Sequence, residues 1–190
     1  ASMTIFEYIM VMVSIILALA LAQLLRAATE LITSTGRYWV HMIWVVFLIL
    51  LVLQFWWAYW DFNSIQTWSF DAYLSVLLPP TLVFLLACLL VPAQRSENTD
   101  WKAYFHSISR WFFSILFLVI VAGITVSVLY LGAPLLHPYR AFQAVFLALA
   151  IAGLIFRSDI AQGIVAIGFL SVLLVSQVVV RMYLGALAAE

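Results

Sequence analysis

The chain has 190 residues, 67% of them apolar and 8% charged, and its eight cations balance eight carboxylates to a formal net charge of zero. A soluble domain carries about 45–50% apolar and about 25% charged residues. This composition, with a mean hydropathy of +1.18, therefore excludes a water-clothed globule and calls for lipid as the solvent. Zero net charge likewise excludes the basic footprint that a nucleic-acid partner demands.

A membrane-spanning helix needs about 20 apolar residues. Six runs fit that requirement, at 5–25, 40–60, 72–91, 110–131, 139–156 and 160–180, joined by short polar connections. The expected fold is all-α: a polytopic membrane helix bundle of six transmembrane helices forming one domain over 3–190. Met3 is the expected native start, with Ala1 and Ser2 an added remnant. A three-plus-three division would set the two halves in opposite orientations, as in inverted-repeat transporters.

The first run carries a stripe at helical spacing, Glu7, Val11, Ser14, Ala18 and Ala22. Small residues at Ser14, Ala18 and Ala22 permit close backbone approach, so this stripe is expected to face protein, either within the bundle or across a homo-oligomer or membrane-partner interface. Glu7 continues it to the helix end, where a carboxylate seeks a partner. In the second run, Gln54, Trp57 and Asp61 share a face at spacings of three and four. A glutamine well inside the membrane must find a hydrogen bond, so this face also should point inward. The adjacent Trp56, Trp57, Tyr59 and Trp60, with Trp68 and Tyr73, read as an interfacial aromatic belt.

The third run contains Pro79 and Pro80. Each lacks an amide proton and clashes with the carbonyl four residues back, which predicts a kink and leaves the Ser75 and Val76 carbonyls to other donors, with Ser75 and Thr81 hydroxyls nearby. Asp100 is placed to start a helix ahead of the fourth run, and Trp101, Tyr104, Phe105 and Ile108 would lie along an interfacial face of it. The fifth run holds Arg140 and Gln143 one turn apart, and the sixth holds Gln177 and Arg181 four apart.

Orientation follows from the cations. Arg26, Arg37, Arg95, Lys102, Arg110 and Arg157 fall on one side and only Arg140 and Arg181 on the other. By the positive-inside rule both termini face outward and 95–110 is cytoplasmic, as in a multi-pass inner-membrane protein. Glu7, Gln54, Trp57, Asp61, Arg140, Gln143, Gln177 and Arg181 then gather in the outward half, the pattern of a polar pocket open to the outside. The same groups could instead pair structurally, and Glu7 is expected to meet Arg140 or Arg181. Were it to meet neither, the pocket would lose its main residue and the scaffold reading would take its place.

The opening FEYIMVMVSIILALALAQLL, then QFWWAYW and LLPP, resembles a pattern found in small uncharacterised bacterial membrane proteins. The resemblance covers the first half of the chain and implies no activity.

Catalytic and metal-binding constellations are missing from the sequence. His41, His106 and His137 form no HxxxH or HxxE spacing, no serine sits in a GxSxG context, and the lone Cys88 has neither a disulfide partner nor companion ligands. No enzyme, cofactor or metal is expected. The leading reading is a channel or transporter for a small polar solute. The alternative is a non-catalytic scaffold or assembly subunit acting through helix packing.

Overall fold

The structure, a computed structural model, describes residues 3–34, 36–65, 67–91, 100–135 and 139–187, with side chains described as far as residue 179. Among the described residues six α-helices follow one another: α1 (Ile5–Thr33), α2 (Trp39–Ala58), α3 (Phe70–Leu89), α4 (Trp101–Leu131), α5 (Tyr139–Ile155) and α6 (Asp159–Leu187). A 3-10 turn, Tyr59–Ser64, extends α2. Five of these elements are long and apolar enough to cross a membrane, and α5, with 17 residues, is shorter. The described residues form helices and no strands, an all-α construction compatible with an integral membrane protein.

Helices consecutive in the chain run antiparallel, so α1 lies parallel to α3 and α2 parallel to α6. At one end, where α1 begins, Phe6 packs on Trp60, Tyr59 reaches α3 and Gln54 reaches Tyr139. At the other, His41, Tyr104, His106 and Asp159 converge. These are called the terminal end and the far end. Going round the bundle the order is α1, α3, α4, α5, α6, α2 and back to α1, with α2 also touching α3 and α4. An inverted repeat would make α1·α3 equivalent to α4·α6. The first pair packs extensively, whereas α4 and α6 are bridged by α5, so the packing lends the repeat no support.

Aromatic rings fill the centre. Trp44 is fully buried and meets Phe112 at 4.8 Å, Phe169 at 5.2 Å and Phe113 at 5.5 Å between ring centroids. Edge-to-face contacts at such spacings suit the ring quadrupoles. Gly153 lets α5 close on the Phe113 ring, since a Cβ there would overlap it.

In lipid a freed backbone carbonyl has no water to turn to, and side chains from other helices fill that need here. At the C-terminus of α3, Tyr104 O–H donates to the Leu89 carbonyl at 2.8 Å and His41 Nε2–H to the Leu90 carbonyl at 3.0 Å. At the C-terminus of α5, the buried Gln162 amide donates to Gly153 at 3.1 Å and Phe156 at 2.6 Å. Within α3, which runs unbroken through Pro79 and Pro80, the Val76 carbonyl released by Pro80 accepts from Tyr59 O–H at 2.6 Å. The expected donors take other roles: Thr81 Oγ1 donates to Leu77 at 2.8 Å, and Ser75 Oγ accepts from Tyr130 at 3.2 Å.

Two expected faces are corrected. Asp100 does cap α4, accepting from the Lys102 and Ala103 amides, but Trp101 and Phe105 are buried, at 4% and 0% exposure, against His41 rather than lying at a membrane interface. On α1 the buried row is Ile9, Val13, Leu17, Ala20, Leu24, Ala27 and Leu31. Ala18 and Ala22 are exposed and Ser14 is half-buried, so the small-residue stripe does not pack inside the bundle. Larger side chains win the inner face because they fill the gap to α3 and α2 with more contact area.

Candidate functional site

A cavity of about 1710 Å³ occupies the terminal half of the bundle. Its walls come from the first turns of α1, the second half of α2, the C-terminal halves of α4 and α6, and the start of α5. Among the side chains lining it are Glu7, Gln54, Trp57, Asp61, Arg140, Gln143 and Gln177, together with Pro79. The side chain of Arg181 lies outside the described residues. Phe47, Phe146 and Phe169 also line the cavity, on its side toward the far end, and pack on one another beside Trp44.

The polar groups differ in depth. Gln54 stands 13 residues beyond His41 on α2, about 20 Å along the axis at 1.5 Å per residue. Arg140 stands 15 residues from Ile155 on α5, about 22 Å. Both therefore stand near the terminal ends of their helices. The Gln54 amide donates to Tyr139 O–H at 3.5 Å, the limit of hydrogen-bonding reach, while its Oε1 is buried with no donor among the described residues. Arg140 donates to Gln143 Oε1 at 2.7 Å and, through long 3.4 Å contacts, to the Pro134 and Ala133 carbonyls. These carbonyls follow Gly132, whose left-handed φ of 63° turns the chain off the end of α4.

The expected pairing of Glu7 with Arg140 is not made. Glu7 is exposed, and its Oε2 accepts from the Thr4 amide at 2.7 Å while the Glu7 amide donates to Thr4 Oγ1 at 3.2 Å. This capping box holds the carboxylate on its own helix start, where it satisfies a backbone donor and favours the positive end of the helix dipole. No carboxylate among the described residues pairs with Arg140. Trp57 and Asp61 also depart from the expected inward face: Trp57 is 79% exposed and Asp61 is exposed, so both stand at the rim and only Gln54 reaches in.

At the far end a second polar cluster forms that the sequence reading missed. Asp159, the first residue of α6, accepts from Lys102 Nζ at 2.5 Å, from His106 Nε2 at 2.9 Å and from Tyr38 O–H at 3.4 Å. Burial first, and the Asp159 charge second, hold the Tyr38 phenol up at about 12, so its proton stays in place as a donor. The signal available in sequence was the spacing of Lys102 and His106, four apart and hence on one helix face. His41 lies beside this cluster, fully buried and bonded to Leu90. No group of three His, Cys, Asp or Glu able to hold a metal occurs among the described residues.

Comparisons with known protein families, with curated proteins and with solved structures gave no match.

Proposed function

We propose that this chain is an integral membrane protein that takes a small solute into the terminal-end cavity and carries it across the bilayer. The observation that carries this reading is the convergence of polar side chains from four helices, Gln54, Arg140, Gln143 and Gln177 with Glu7 and Asp61 at the rim, on one cavity between apolar helices. Polar and ionisable groups there mark ligand or ion pathways more than they serve packing. The aromatic floor favours a carrier that alternates its openings over a continuous channel. With Glu7 held by its own cap, the centre of the site moves to Gln54, Tyr139, Arg140 and Gln143.

The scaffold reading keeps one specific support, the exposed Ala18 and Ala22 on α1, a face on which a second helix could approach closely. The two separate by labelling Gln177→Cys in a Cys88→Ser background with an impermeant maleimide. A carrier is modified from both membrane faces, and modification from neither face would overturn the transport reading. The proposed orientation has both termini outside and an inner-membrane location. Cysteine at Ser64 should then react in intact cells and cysteine at Ser96 should not, and the reverse pattern would overturn it.

A further inference from the structure

Three features of the cavity bear on what it holds. It is large: about 1710 Å³, against the roughly 300–1,000 Å³ of sites for drug-sized ligands. Its wall is mostly apolar, and part of that wall belongs to the outer surface of the bundle. Val11, Ile15, Leu53 and Leu174 line the cavity and are each at least half exposed, so the cavity is continuous with the face that meets the acyl chains of the bilayer. Finally, its deep polar groups are under-partnered in a complementary way. The Arg140 guanidinium has no carboxylate partner among the described residues, and the Gln54 Oε1 has no donor.

A small polar solute would answer the last feature and leave the first two without a role. A free fatty acid would satisfy the guanidinium but not the acceptor. We infer that the occupant is a zwitterionic phospholipid of the surrounding bilayer, with its phosphate at Arg140, its ammonium toward Gln54 Oε1 and the rim carboxylates, and its chains along the apolar wall above Phe47 and Phe169. This rests on the reading of the cavity as the ligand site and replaces the small solute of that reading with a lipid. Guanidinium and phosphate match as a two-point, charge-assisted pair. In an apolar surround that pairing relieves a cation otherwise held by one side-chain amide and two long carbonyl contacts. The head enters sideways with its chains already in lipid, so little of the molecule must be dehydrated.

The test is retention of phosphatidylethanolamine by the purified protein after exhaustive detergent exchange, read by phosphorus content and mass spectrometry. About one phosphatidylethanolamine per chain is expected. Arg140→Gln should retain at least about tenfold less, the loss for a hydrogen bond to a charged group, while Trp111→Phe on the lipid-facing surface leaves retention unchanged. Gly123→Phe guards against misfolding at Arg140: Gly123 lines the cavity with nothing within 4 Å of an added Cβ, so the ring should displace the lipid from a folded bundle. Retention that neither cavity variant lowers means annular lipid only and overturns the inference, as does a preference for phosphatidylglycerol. If no phospholipid is retained while Gln177→Cys still labels from both faces, the inference fails and the carrier reading stands. If labelling fails as well, both fall.

Discussion

The two ends of the bundle differ in how densely polar groups tie their helices together. At the far end Lys102, His106 and Tyr38 share the Asp159 carboxylate, His41 and Tyr104 satisfy the end of α3, and Gln162 satisfies the end of α5. At the terminal end Gln54 makes one long contact, Arg140 leans on carbonyls, and Trp57 and Asp61 stand at an open rim. The far end is not saturated: His41 Nδ1, Trp101 Nε1 and Gln162 Oε1 are buried there without a partner among the described residues. What separates the ends is the density of bonds between helices, high around the ends of α3 and α5 and low around the cavity. A base tied across helices can hold an open upper half in place, as a binding site requires of its scaffold.

Substitutions at the two ends should separate accordingly, and each can be followed by thermal unfolding in detergent. Gln162→Leu strands the Gly153 and Phe156 carbonyls in a buried place and should cost about 2–4 kcal/mol, for two acceptors left without donors. An unchanged unfolding temperature would break the idea of a locked base. Tyr59→Phe strands the Val76 carbonyl and should cost about 1–3 kcal/mol. In a Pro80→Ala background the amide returns as an internal donor, so the same change should cost measurably less, and equal costs in both backgrounds would dismiss the coupling. Asp159→Asn acts on an exposed ion pair and should leave the unfolding temperature nearly unchanged, with any small drop vanishing in high salt. Gln54→Leu, at the receptive end, should change stability by less than about 0.5 kcal/mol yet weaken ligand retention. A large destabilisation there would mean that Gln54 is structural.

Much of this contrast lay in the sequence and some could not. The apolar runs gave six helices, but three extend well beyond them: α1 ends eight residues past 25, α6 ends seven past 180, and α4 begins at Trp101, nine ahead of 110, where Asp100 had been read as a cap. Asp100 was readable as a cap because capping is local chemistry. Seven of the eight pocket candidates line one cavity, and the eighth, Arg181, has no described side chain. What failed were faces. On a helix in lipid both the inner and the outer surface are apolar, so a stripe such as Ser14, Ala18 and Ala22 has no polarity contrast to say which way it points. Partners across helices failed for a related reason. That Tyr59 would serve the carbonyl released by Pro80, or Gln162 the end of α5, depends on which helices become neighbours, and spacing along one helix carries no such information.

The shortness of α5 has a consequence for the bilayer itself. Its 17 residues rise about 25 Å, against a hydrocarbon slab of about 30 Å. Arg140 and Arg157 stand at its two ends, so neither end can slide inward without carrying charge into oil. A bilayer spanned by α5 would have to bend to the helix: along that flank the two leaflets would draw together, at a cost of a fraction of a kcal/mol for each ångström of mismatch. Shorter-chained lipids fit such a pinch best, and they would gather beside α5 while longer ones settle around the taller α1 and α4.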